Sequence, residues 1–304
     1  MLASSAKAIL ATNAIFISLS GASVALRFYA RTRTPHGRGM DDWLNIAAWV
    51  CAVALAITNI VGVPVGGFGS PFESLNTNTA IEYLKIFFVL QFWYISAVAL
   101  VKLSVLFFYK RIFTVDYTPT PIWVLIALSI GWFISFFFAT LFQILPIWCN
   151  WIACQPTANY PAMYLACSVT DIVIDISILC LPGFFIRHLQ MSLSRKIGIV
   201  GIFGLGTFCI VSSVARLAYT VYYYKAYIIN DYASNFDISV DNIIMWSGIE
   251  ACASTICANL PCYGPLIFSS RHTPISSSDR SGPSGDKTPR AMFVDSQLNE
   301  QAAA

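Results

Sequence analysis

Three carboxylates and one guanidinium lie in stretches where a bilayer-spanning helix has no ordinary use for charge. Asp171 and Asp175 sit four residues apart in the otherwise apolar run from Pro161 to Ile186, and so on one helical face. Glu250 lies in a second such run and Arg216 in a third. An ionisable side chain at the centre of a membrane helix costs about 2.5–3.5 kcal/mol on insertion scales, so these groups must face protein, water or one another. At a rise of about 1.5 Å per residue, Asp171 lies about 15 Å, Asp175 about 20 Å, Glu250 about 13 Å and Arg216 about 9 Å below the same membrane face. Three acids against one cation leave carboxyls uncompensated. Desolvation and like-charge repulsion then favour the neutral form of at least one at pH 7. A neutral buried acid can protonate an alkene, epoxide or carbonyl while aromatic walls stabilise a developing cation. Asp171, Asp175 and Glu250 are the catalytic candidates for such chemistry. The plainer use of the same residues is an Asp–Arg clamp that fixes helix packing.

Other polar residues fall at the same depth. Asn59, Gln91 and Trp246 lie in the outer half of their runs and join Arg216 as candidate ligand-binding residues. Trp246, Glu250 and Ser254 share one helical face, and Ser212, Arg216 and Thr220 another. Together they predict a polar pocket opening outward. Lys102 is placed too near the cytoplasmic end to reach the acids and is expected to snorkel to the interface. Cys149 and Cys154 stand in a loop between Trp148, Trp151 and Pro156, where a local disulfide is sterically allowed. Cys51, Cys167, Cys180, Cys209, Cys252 and Cys257 fall within apolar runs and read as small hydrophobes. No His, Cys and Asp cluster has metal-ligand spacing, and His36, His188 and His272 are scattered, so neither a metal nor a cofactor is expected. The last run has no lysine, which removes a retinal Schiff base at that position.

The elements that must hold these residues are plain in the hydropathy. The 304 residues are 57% hydrophobic and 11% charged, against roughly 25% charged in a soluble domain. Seven apolar runs are each long enough to span: 8–29, 43–65, 81–109, 121–145, 161–186, 197–222 and 241–268. The fold class expected is all-α, a polytopic membrane protein over residues 1–268, in the plasma membrane or an endomembrane, its first run retained as a helix. Lys and Arg crowd alternate connections: Arg31, Arg33 and Arg38; Lys110 and Arg111; Arg187, Arg195 and Lys196. The connections 66–80 and 146–160 have neither. That asymmetry places the N-terminus outside and the C-terminus in the cytoplasm. The tail 269–304 is rich in Ser, Pro, Gly and charge and is expected to be disordered and cytoplasmic. The net charge of +3 is no nucleic-acid footprint, and the partner expected first is the lipid bilayer.

The order of several short motifs resembles the fungal rhodopsin-domain family of seven-helix membrane proteins. They are Arg27-Phe28-Tyr29-Ala30-Arg31 followed by Gly39-Met40-Asp41-Asp42-Trp43; Lys102-Leu103-Ser104 through Tyr109-Lys110-Arg111-Ile112-Phe113; Asp175 with Leu181-Pro182; Arg216; and Trp246 to Glu250 leading to Leu260-Pro261 and Pro265. The family includes receptor-like proteins implicated in surface sensing by plant-pathogenic fungi and a member encoded in the satratoxin cluster. The seven spans, the outward pocket and the N-out topology suggest a receptor-like or accessory role toward a lipophilic small molecule, and the resemblance implies a secondary-metabolite setting, with a cytoplasmic signalling partner or pathway enzymes expected. About seven residues precede the first run, so the cysteine-rich extracellular domain of some receptor-like relatives is not expected. A membrane-embedded cyclase or isomerase using the buried acids is the alternative. A carrier finds less support, because no inverted repeat or paired broken helices are evident.

Overall fold

The computed structural model of the protein describes residues 4–32, 39–113, 120–152, 159–186, 193–229 and 236–263. Within them the chain forms seven α-helices and no strand: α1 (Ser4–Thr32), α2 (Met40–Gly66), α3 (Thr77–Phe113), α4 (Thr120–Leu141), α5 (Tyr160–Ile186), α6 (Leu193–Ile229) and α7 (Phe236–Asn259). Six are long and apolar enough to cross a membrane over their described residues, and α6 carries the seventh apolar run, 197–222. The protein is an all-α, multi-pass membrane protein. The tail expected over 269–304 lies outside the described residues.

Two helix ends fall short of their apolar runs. The fourth run extends to 145, but α4 stops at Leu141 and the chain bends through to Pro146 before a 3-10 turn, Ile147–Asn150. The seventh extends to 268, but α7 stops at Asn259 and tightens into the 3-10 turn Leu260–Tyr263. Pro261 explains the second: it brings no N–H to the ladder and disfavours helical geometry at Leu260.

The helices close into a ring. Each packs on its sequence neighbours, and α1 packs on α7. Helix α7 also touches α2 and α3, and α3 reaches α5, so these two occupy the middle. Burial agrees, with 61% of the spanning window of α7 buried against 22% for α1 and for α4. Lipid offers no hydrophobic drive between helices, so close packing and polar contacts must hold the ring. The bundle has two unlike ends. One gathers the C-termini of α1 and α3 with Arg27, Arg31, Lys110 and Arg111, and we call it the basic end.

At the opposite end, α2 finishes in a capped turn. Gly67 takes φ +75°, the left-handed conformation common at a helix C-terminus, and the Phe68 N–H donates to the Gly62 carbonyl at 3.1 Å. The turn drives the fully buried Phe68 ring against Gly62, where any side chain would collide with it. Tyr83 of α3 meets Phe68 edge-on at 4.8 Å. Gly69 N–H then donates to Asp241 Oδ1 of α7 at 3.0 Å, so the connection is tied down across the ring.

Candidate functional site

Charge gathers in one layer across the middle of the bundle. Lys102 on α3 and Asp175 on α5 each lie 11 residues from the basic end of their helix, at Phe113 and Ile186. Lys102 Nζ donates to Asp171 Oδ1 at 2.7 Å and to the Asp171 carbonyl at 3.0 Å, and pairs with Asp175 Oδ1 at 2.9 Å. Arg216 on α6 donates through Nε to Glu250 Oε2 of α7 at 2.7 Å. Its two terminal nitrogens reach Ser168 Oγ at 2.9 Å and Asp171 Oδ2 at 3.3 Å. The Ser213 hydroxyl donates to Glu250 Oε1, and the Tyr94 hydroxyl to Asp171 Oδ2 at 3.4 Å. The guanidinium lies 4.6 Å from the Tyr94 ring centre, and Lys102 Nζ 5.5 Å from that of Trp132. Asp171 is fully buried and Glu250 is 1% exposed.

Lys102 corrects the reading of the sequence. It is 5% exposed and bridges two acids, where a snorkelling interface residue was expected. Helix α3 runs four residues past the apolar run at the basic end, so Lys102 stands 11 residues from that helix end, as Asp175 does from its own. Its long side chain then climbs to the level of Asp171. The count becomes three acids against two cations, and the layer is electroneutral when it holds one proton. The three acids also bring carboxylate oxygens within 4.8 Å of one another. Each already has a Lys or Arg nitrogen within 3.3 Å, so the cluster has its counter-charges built in.

Above the layer, away from the basic end, lies a cavity in two parts. The part next to the ions has a volume of about 60 Å³ and is bordered by Tyr94, Ser168, Thr140 and Arg216. It shares Phe87, Gln91, Tyr164 and Tyr223 with an outer chamber of about 440 Å³, which Phe72, Tyr83 and Tyr160 complete. The larger volume lies in the range of small-molecule sites. Successive aromatic rings form its wall, with Tyr83 5.4 Å from Phe72 and 6.5 Å from Phe87, and Tyr164 6.5 Å from Phe87 and 6.4 Å from Tyr223. The Tyr164 hydroxyl lies 3.0 Å from Gln91 Oε1 and 2.8 Å from Gln143 Oε1, which forms a neutral polar patch in an aromatic wall. Below the layer a smaller cavity of about 80 Å³ has Lys102, Asp175, Cys209, Ser254 and Cys257 among its borders.

Of the residues singled out in the sequence, Gln91 and Arg216 border the outer cavity, and Asp171, Asp175 and Glu250 meet in the layer beneath. Asn59 lies elsewhere. It is fully buried against α1, donating to Asn13 Oδ1 at 3.2 Å, and Gly248 of α7 leaves room for both amides. Trp246 is half-buried and borders neither part of the cavity. Cys149 is disulfide-bonded, while Cys154 lies outside the described residues.

A second ionic cluster, at the basic end, was present in the sequence only as motif residues. Arg27, fully buried, forks onto Asp42 Oδ1 and Asp41 Oδ2, each at 2.8 Å, and donates to the Ala258 carbonyl at 2.9 Å. Arg31 pairs with the same two acids, and Ser104 donates to the Asp41 carbonyl at 2.7 Å. Asn45 donates to Asn259 Oδ1, and Asn259 to Ser23 Oγ, each at 2.8 Å. Helices α1, α2, α3 and α7 are thereby joined at one level. The doubled acid at the start of α2 and the two arginines one turn apart on α1 are the signal that points to it.

A ring of seven membrane helices around a buried ion layer, with one cavity above it, defines a polytopic seven-helix membrane protein. The chain belongs to the fungal rhodopsin domain family, whose model matches residues 26–269. It is 28% identical over 274 residues to the polyenoic acids biosynthesis gene cluster protein Ba17b of Metarhizium anisopliae, covering 84% of this chain and 72% of that one. It is 25% identical over 273 residues to the receptor GIN3 of Arthrobotrys oligospora, covering 87% of this chain and 65% of the receptor. It is 31% identical over 162 residues to a SAT4 family membrane protein of Emericella nidulans, covering 51% of this chain and 42% of that one. No solved structure matches the chain.

Proposed function

We propose that this protein binds an uncharged lipophilic small molecule in the outer cavity and acts as a receptor-like or accessory membrane component of a secondary-metabolite system. The observation that carries this is the order of groups along the bundle axis. Arg216 and Ser168 border the cavity, and Asp171 and Glu250 sit behind them, buried. A general acid must come within hydrogen-bond reach of the atom it protonates, and a guanidinium does not give up its proton in a protein. Asp175 borders the cavity of about 80 Å³ on the other side of the layer, which is small for a metabolite. The geometry therefore favours binding over the cyclase or isomerase alternative. With three acids to two cations the layer offers no positive excess to hold an anion. The aromatic wall and the Tyr164–Gln91–Gln143 patch suit a mostly apolar ligand with one or two polar groups.

Relatives named as a receptor and as a biosynthetic cluster protein support the setting. In the topology we propose, the basic end faces the cytoplasm and the cavity faces outward. The test is to purify the wild type and a cavity-filled Val240→Trp variant from fungal membranes and compare their organic extracts by mass spectrometry. A lipophilic compound enriched with the wild type alone supports the reading, and identical extracts from two equally folded proteins refute it. Strains carrying Asp175→Asn or Glu250→Gln should keep any associated pathway product; loss of product at normal protein abundance would return the enzyme reading.

A further inference from the structure

Helices α6 and α7 meet along a ladder of polar contacts. Arg216 pairs with Glu250, Ser213 donates to the same carboxylate, and Cys209 Sγ stands 2.9 Å from Cys257 Sγ. The helices run antiparallel, so Cys209, seven residues before Arg216, comes level with Cys257, seven residues after Glu250. Seven residues are about two turns, so the sulfurs lie roughly 10 Å below the ion layer on the same seam. Both are thiols. Each borders the cavity of about 80 Å³, and Cys257 is half-buried, so a small apolar reagent can reach the pair from within the bilayer.

We propose that Cys209 and Cys257 are a redox-responsive dithiol that closes to a disulfide and staples α6 to α7 beneath the Arg216–Glu250 pair. Closing the sulfurs to a bond of about 2.05 Å asks for less than an ångström of approach between groups already facing across a helix interface. Plain packing does not account for the geometry, because apolar contact needs no sulfur-to-sulfur alignment. Cys167 and Cys262 are also buried thiols, and neither has another sulfur recorded against it among the described residues.

The oxidant suited to this depth is a lipophilic hydroperoxide. One thiol attacks the peroxide oxygen and becomes a sulfenic acid as the hydroperoxide is reduced to its alcohol. The second thiol then attacks that sulfur, and water leaves. In sum two thiols and one hydroperoxide give one disulfide, one alcohol and one water. The second step is favoured because the two groups are held together. The crosslink closes a loop of 48 residues and removes any motion that separates the basic-end halves of α6 and α7.

The experiment treats the full chain in membranes with cumene hydroperoxide, blocks remaining thiols with a maleimide, and maps peptides by mass spectrometry without reduction. The expected result is a peptide pair linked through Cys209 and Cys257, lost on treatment with dithiothreitol and absent from Cys209→Ser and Cys257→Ala. Either variant alone suffices as the control if the other fails to accumulate, and Cys180→Ser should leave the link intact. The oxidised wild type should also unfold at a higher temperature than the reduced, with no such shift in the variants. Maleimide on both sulfurs after oxidation, or sulfinic acid without a crosslink, overturns the proposal.

Discussion

Lys102→Met is the substitution that most directly tests the ion layer. Methionine keeps an unbranched apolar stem, one atom shorter than lysine, and deletes the ammonium with its hydrogen bonds. If Lys102 were a snorkelling surface residue, the change would fall within about 0.5 kcal/mol. In the structure it removes the nitrogen 2.7 Å from Asp171 and 2.9 Å from Asp175 at a site 5% exposed. Breaking a buried ion pair from one side costs about 3–5 kcal/mol. Asp171 keeps Arg216 at 3.3 Å, whereas Asp175 loses its only Lys or Arg partner within 4 Å among the described residues. We therefore expect a loss near the lower figure, with Asp175 taking up a proton. Asp175→Asn removes the excess acid instead and should cost no more than about one hydrogen bond, around 1 kcal/mol. In the double variant Lys102→Met, Asp175→Asn the losses should fall short of their sum by about 1–3 kcal/mol, as expected for groups in contact. The assay is reversible unfolding in mixed detergent micelles followed by tryptophan fluorescence, with all four proteins compared. Strict additivity, or a Lys102→Met protein as stable as the wild type, would refute the bridge.

Three further outcomes follow from the same contacts. Arg27→Met should destabilise the protein by about 3 kcal/mol, the lower figure for a buried pair, because the fork is lost while Arg31 still pairs with both acids; Arg27→Lys should recover only part of that, since an ammonium cannot reproduce the bidentate geometry, and chemical unfolding of both variants checks it. Gly248→Ala gains about 1 kcal/mol of helix propensity but places its Cβ 2.6 Å from Asn13 Oδ1, so net destabilisation of about 1–2 kcal/mol is expected in thermal melts. Reporter fusions at residue 304 and within residues 146–152 should report opposite sides of the membrane; the same side for both would contradict seven spans.

Sequence alone settles what depends on neighbours along the chain. Hydropathy locates all seven helices, because spanning length is a local property. The four-residue spacing of Asp171 and Asp175 sets them on one face, and the neighbouring depths of Glu250 and Arg216 follow from rise per residue. Tertiary structure decides what depends on how each helix is rotated about its axis and how far it runs past the bilayer core. The extra length of α3 carries Lys102 up to the acids, which no count within the apolar run shows. The rotation of α2 turns Asn59 toward Asn13 and α7, away from the cavity. The packing of α1 against α7 brings Arg27 to the Ala258 carbonyl, 231 positions along the chain. The antiparallel register of α6 and α7 sets Cys209 against Cys257, two residues that hydropathy reads only as apolar. The same rotations place Arg216, rather than a carboxyl group, at the floor of the cavity. Periodicity names the residues that share a face, and only the packed ring says which face they meet.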